Sequence, residues 1–245
     1  MRKIALASAL CLATALAAPS MPAIADHGGK SDLDDGAVVP SSWTATSRFD
    51  ALTVAGSDNV TVTRGDRWQI RAKGDPAVLS ELRFKVEDGS LMVGRKWRRT
   101  AIPGSATIEV ITPGIKDVTL AGSANIGIDS MDAPDVAATV AGSGTIKIER
   151  LVARDLAATI AGSGDMEIAG RADKAAMTIA GNGDIDGRGL RLSRAEVSIA
   201  GSGDAIFSAS GRVTASIVGS GDAIVTGTTD CESSRLGSGR LTCTR

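Results

Sequence analysis

The sequence predicts an all-β protein, a single parallel β-helix or solenoid with about 20 residues per rung, and three observations carry that expectation. A glycine-rich turn recurs at a nearly constant step: Gly122, Gly142, Gly162, Gly181, Gly201, Gly219 and Gly237 stand 20, 20, 19, 20, 18 and 18 residues apart, and an earlier copy sits at Gly56. Like residues recur at like distances from that glycine. Two before it stand Val54, Leu120, Val140, Ile160, Ile179, Ile199 and Ile217; three before it stand Thr53, Thr119, Thr139, Thr159, Thr178, Ser198 and Ser216. Composition supplies the third: three Phe, three Trp and no Tyr are few for a compact sandwich core, whereas a thin solenoid core fills with Val, Ile and Ala.

Taken in order, residues 1–25 read as a cleaved signal peptide. Arg2 and Lys3 form the basic start, Ile4 to Ala18 the apolar run, and Ala23-Ile24-Ala25 the cleavage site before Asp26. Leu10 before Cys11 does not suit a lipobox, and no later stretch is apolar enough to span a bilayer. Residues 26–42 are polar and rich in Gly and Asp, and read as a disordered leader. Residues 43–245 form one β-helical domain, with rungs clearest from 114 onward. Within it, Pro76 to Leu82 reads as a short helix, with Asp75 as N-cap and Pro at the first helical position.

In the repeats the apolar columns two before and four after the glycine (the latter Val60, Ile126, Ile146, Met166, Ile185, Ala205 and Ala223) should face inward and the hydroxyls outward, since strand side chains alternate. A third apolar column, Val136, Leu156, Ala175, Ala195, Val213 and Cys231, suggests a three-sided section. Gly-Ser-Gly also suits a hairpin. An antiparallel meander, however, offers no reason for like residues to recur in every repeat, and stacked parallel coils do. Glycine is expected at each corner because it enters positive φ without steric cost. In the last copy Arg235 replaces the inward Ile. Cys231 and Cys243 face the end of the core there, and a disulfide between them would pin the last coil.

The stretch 48–94 resembles the start of a bacterial envelope family, the putative auto-transporter adhesin head, or GIN, domain. The residues that carry the likeness are Phe49, Val60 and Val62, Gly65-Asp66, Gly74-Asp75 before the short helix, and Asp88-Gly89-Ser90-Leu91. The Ala-Gly-Ser-Gly-Asp repeats extend it over residues 48–228. The resemblance implies a right-handed β-helical exported protein of structural or adhesive type, with no established activity and no known catalytic residues, so no catalytic activity is expected. It implies a periplasmic, cell-surface or secreted location. The stop at Arg245 leaves no room for a translocating barrel, a departure from an autotransporter.

The single histidine, His27, lies in the leader, so neither a Ser-His-Asp triad nor a histidine metal cluster is expected in the folded part. No catalytic residue, cofactor-binding residue or metal ligand is assigned, and no cofactor is expected. The full chain carries a formal charge of −1, which gives no support to nucleic-acid binding. Arg95, Lys96, Trp97, Arg98 and Arg99 read as a solvated loop, or alternatively as a patch for anionic lipid or envelope polysaccharide with Trp97 as anchor. A single outward Thr/Ser column is ordinary on a strand and does not suit an ice-binding array. Partners are therefore envelope polysaccharide, lipid or a surface protein. Two alternatives stand beside the adhesive reading: a polysaccharide-active β-helix enzyme, and a calcium-stabilised surface-binding module. The second arises from the column Asn59, Asn125, Thr145, Asp165, Asp184, Asp204 and Asp222, three after each glycine. There the expectation is that each aspartate caps backbone N–H groups of its own turn, with calcium as the rival reading.

Overall fold

The computed structural model describes residues 33–100 and 102–245, and strands make up most of it. The signal segment and residues 26–32 lie outside the described residues. From Asp117 onward each coil rests in parallel register on the one before. Gly122 lies beside Gly142, Gly142 beside Gly162, and Gly162 beside Gly181, with the Thr and Ile columns aligned in the same way. The long strands Thr145–Gly162, Asp165–Gly181 and Ile185–Gly201 each run around the coil, and register shifts at Ile148/Leu151 and Glu167/Gly170 mark a corner. The three apolar columns point inward as their alternation requires. Ile160 and Ile179, Ile146 and Met166, and Leu156 and Ala175 are all buried. The parallel solenoid is thus the observed fold, and the meander is excluded.

The repeat glycines serve two separate needs. Gly162 has φ +130°, and a Cβ built on it would lie 2.3 Å from the Gly142 carbonyl oxygen. Gly164, two residues on, has no positive φ, yet its Cβ would lie 2.3 Å from the Gly144 carbonyl oxygen. The first glycine supplies a backbone conformation that side chains resist, and both allow coils to approach closely.

The N-terminal end breaks sequence order. Strand Ala51–Gly56 lies between Ser90–Arg95 and Asp117–Gly122, parallel to both, so Gly56 stacks directly on Gly122. Strand Asn59–Arg64 likewise lies between Ala106–Thr112 and Asn125–Ile128. The intervening chain leaves the stack and returns above it. On its way it lays two antiparallel strands, Gln69–Gly74 and Leu82–Glu87, across the end. Asp88 and Gly89, both at positive φ, turn the hairpin between Leu82–Glu87 and Ser90–Arg95, as an Asp-Gly pair favours. The solenoid edge is thereby paired at this end.

Two expectations need correction here. Residues 33–42 are packed rather than loose. Leu33 and Val39 are buried, Ala37–Val38 pairs with Leu82–Glu87, and the Ala72 N–H donates to the Pro40 carbonyl. Two apolar side chains in a polar stretch suffice, because a ready strand edge receives them. The helix spans Pro76–Leu79 only, since Leu82 is drawn into the antiparallel ladder opposite Arg95. The Asp75 side chain caps no helical N–H. It accepts from the Ser105 N–H at 3.1 Å instead.

At the far end the disulfide Cys231–Cys243 is formed. Its two residues continue the inward columns of Val213 and Val225 and pack against the core. Arg235, in register with Ile217, is exposed.

The corner column allows a comparison within one molecule. Gly56 shares the positive φ, at +115°, but a Cβ there meets nothing within 4 Å. Gly162→Ala should therefore lower stability by more than the ~1–3 kcal/mol of backbone strain, and Gly56→Ala by no more than that strain. Thermal melts of the two variants check it. Equal losses would show that inter-coil approach is not a constraint.

Candidate functional site

The basic run is built into the fold rather than offered to a ligand. Arg95 forms a two-point pair with Asp58, Nε to Oδ2 at 2.6 Å and Nη2 to Oδ1 at 2.7 Å, and also donates to the Ile102 and Gly104 carbonyls. Asp58 is 4% exposed and also accepts the Ala106 N–H. It stands where later repeats place their second glycine, which brings its carboxylate under the returning chain. The pairing holds the Arg95 guanidinium above its ordinary pKa. Arg98 grips buried Glu81 at 2.6 Å through both Nε and Nη2, and Lys96 stands 3.5 Å from the same carboxylate. The Arg98 hydrogen bonds, aided by the charges of Arg98 and Lys96, outweigh burial and lower the Glu81 pKa to about 2. Trp97 is half exposed, with its backbone N–H on Asp34 Oδ1, and Arg99 is exposed. The solvated loop expected here and its alternative, a free cationic patch, are both corrected: Arg95, Lys96 and Arg98 are engaged by buried acids.

The aspartate column does a different task from the one expected. The Asp184 N–H donates to Asp165 Oδ1 at 3.0 Å, that of Asp204 to Asp184 Oδ1 at 2.7 Å, and that of Asp222 to Asp204 Oδ1 at 2.7 Å. The Arg240 N–H closes the series on Asp222 Oδ1 at 2.8 Å, and Asn125 uses Asn59 Oδ1 in the same way. Asn59, Asp165, Asp184, Asp204 and Asp222 therefore each accept from the next coil, not from their own turn, whereas at Asn125 the Thr145 N–H donates to the Ala124 carbonyl. After Thr145, which lacks such a carbonyl oxygen, the Asp165 N–H donates to the Gly144 carbonyl instead. Stacked like charges repel, and an amide donor on each carboxylate offsets that cost. Among the described residues no group of three or more His, Cys, Asp or Glu side chains is placed to hold a metal ion.

The surface most distinctive to the repeat is the flat outer face of the strands that lead into the corners. Thr53, Thr119, Thr139, Thr159, Thr178, Ser198, Ser216 and Ser234 lie in unbroken register along it, with Thr53 and Thr139 themselves buried and the others partly or fully exposed. Beside them runs a methyl column, Ala55, Ala121, Ala141, Ala161, Ala180 and Ala200, ending in exposed Val218 and Leu236. Eight stacked strands about 4.8 Å apart make this a long strip of hydroxyl and methyl groups. The same alignment of the sequence contains the methyl stripe, one residue before each corner glycine. Along one margin opens a cleft of about 420 Å³ floored by Ala137, Ala157 and Ala176. Its rim carries Asp117, whose pKa burial raises, and Asp135 and Asp155, both held by Arg154 at 2.6 and 2.7 Å. No helix of the described residues is long and apolar enough to cross a membrane.

The model of a family described as "putative auto-transporter adhesin, head GIN domain" matches residues 48–229. A crystal structure of a putative adhesin from Bacteroides fragilis superposes with a TM-score of 0.74 at 20% identity, covering 82% of this chain and 95% of that one. One of a putative adhesin from Parabacteroides merdae gives 0.68 at 20%, with 83% and 95% covered. One of a putative lipid binding protein from Parabacteroides distasonis gives 0.68 at 22%, with 86% and 98% covered. At these identities the likeness is one of fold. No curated protein matches the chain.

Two predictions follow from the buried acid and the acid column. Because the Glu81 pKa is depressed, its contribution to stability is present above the ordinary 4.5 and is lost as pH falls toward about 2. Glu81→Gln should lower the melting temperature at neutral pH and flatten its pH dependence across that window. In the column, Asp204→Asn keeps the acceptor and should be tolerated, whereas Asp204→Ala should cost about 1 kcal/mol. Millimolar calcium against chelator should leave the wild-type melt in place, and a rise of many degrees would make these aspartates ligands.

Proposed function

This chain belongs to the family of putative auto-transporter adhesin head GIN domains, and from that premise we propose that it is an exported, non-catalytic structural or adhesive module of the cell envelope. It meets its partners on the sides of the solenoid, and those partners are envelope polysaccharide, lipid or surface proteins. The observation that carries this reading is the strip of in-register hydroxyl and methyl groups, which spans eight stacked strands. A strip of that length suits repeated shallow contacts with an extended surface, and it encloses no substrate. The basic start, apolar run and Ala23-Ile24-Ala25 site support export, with Asp26 as the mature N-terminus. Against catalysis stand the pairing of Asp135 and Asp155 with Arg154 and the position of the single histidine in the leader.

The test begins with the chain expressed from its own start. Mass spectrometry of the exported product should give an N-terminus at Asp26. The purified product should bind washed cell envelopes saturably, and Thr159→Arg, in the middle of the strip, should weaken that binding about tenfold with an unchanged melt. Retention in the cytoplasm, or release of reducing ends or unsaturated products from glycans, would overturn the proposal.

A further inference from the structure

A second lateral feature lies away from the flat strip, where the third side of the coil turns into the connector. The small inward residues Ala172 and Ala209, with Gly227 beyond them, let this corner sink into a groove of about 500 Å³. Arg171 and Arg191 stand on it in direct register, and the same column continues through Ser208 and Thr226. Both arginines are exposed, and neither has an ion pair or hydrogen bond among the described residues. That sets them apart from Arg95, Arg98 and Arg154, each of which is held by a carboxylate. Two like charges one coil apart, about 4.8 Å, destabilise the ladder unless an anion lies between them. The hydroxyls of Ser208 and Thr226 hydrogen-bond each other at 2.8 Å and extend the polar line for two further coils.

We propose that this groove binds an acidic polysaccharide, with Arg171 and Arg191 holding an anionic group of the glycan and Ser208 and Thr226 meeting its hydroxyls. Asp173, on the same groove, adds an acceptor for sugar hydroxyls. The inference rests on the adhesive reading and gives it a ligand class. The length of the column favours a chain over a free anion, since four coils lie in line. The exposed large hydrophobic residues, Val38, Trp97, Val218, Ile224 and Leu236, all lie outside the groove, so it has no wedge for a lipid bilayer. A peptide could not add here as a strand, because Gly170, Arg171 and Ala172 are paired on both sides. Nor would the whole molecule attract polyanions, its formal charge being −1.

The experiment titrates the exported chain, disulfide intact, with oligogalacturonates, neutral galacto-oligosaccharides, sodium phosphate and phosphatidylglycerol vesicles. Binding to the oligogalacturonate alone is expected, weakening as salt rises. The double variant Arg171→Gln/Arg191→Gln should bind about tenfold or more weakly without a lower melt, whereas Arg99→Gln, an exposed cation elsewhere, should bind as the wild type does. Equal binding by the double variant, an equal loss in Arg99→Gln, or preference for the neutral sugar, phosphate or vesicles would each overturn the proposal. If envelopes are still bound while oligogalacturonate is not, the groove assignment falls and the adhesive reading stands. Loss of both in the wild type removes both.

Discussion

A single hydrogen bond, repeated at each corner, sets the register of the whole solenoid. The N–H after each corner glycine donates to the carbonyl of the corner glycine one coil earlier: Ser143 to Gly122, Ser163 to Gly142, Asn182 to Gly162, and on to Ser238 and Gly219, at 2.9 to 3.0 Å. These bonds form only because the two backbones approach closer than any Cβ would permit. Once corners are locked one above another, each strand must lie over its counterpart. Isoleucine then stacks on isoleucine and threonine on threonine, and a column becomes a surface. The flat strip, the acid column and the arginine pair are all consequences of that register. A slip of one residue would turn every one of them to the opposite face.

The part of the fold that this register governs was legible in the sequence, because each repeat prints the same columns. The N-terminal cap was not. Strand Ser90–Arg95 stacks on Ala51–Gly56 without a Gly-Ser-Gly corner, and its alternation of Leu91 and Val93 would suit any half-buried strand. Nothing local says that it must be inserted above a strand that precedes it. The partners of the basic run were hidden for a similar reason, since Asp58 lies 37 residues from Arg95. Its one local signal was an acid in the place of a repeat glycine. The Arg171–Arg191 pair, by contrast, stood one repeat apart in the connectors and could have been read by the same alignment that exposed the corners. The direction of the aspartate bonds depends on whether a side chain reaches its own turn or the next, and only coordinates decide that.

The acid column shows how a repeat can tolerate stacked charge. With an amide donor on Oδ1, each carboxylate carries part of the inter-coil hydrogen bonding that the backbone carries around Thr145. Asparagine at Asn59 performs the same service without charge. The interaction thus needs an oxygen acceptor of fixed reach, and the charge itself is secondary. The arginine pair is the reverse case. Among the described residues its guanidinium groups have no such internal partner, so their positive charge is left open to the groove.

The two ends of the stack manage exposed strand edges by different means. At the N-terminal end, antiparallel strands and the packed segment 33–42 cover the first coil, and the buried acids Asp58 and Glu81 fasten the return loop to it. At the other end, Cys231–Gly237 and Leu241–Thr244 each have a neighbour on one side only among the described residues. There a charged side chain, Arg235, stands in register with inward Ile217, where an apolar residue would invite another coil to stack. The disulfide replaces the apolar plug of two inward columns, so the last coil is held covalently where its own burial is incomplete. With one end covered and the other opposed by charge, end-to-end stacking is disfavoured, and the surface left for partners is the set of lateral faces on which the strip and the groove lie.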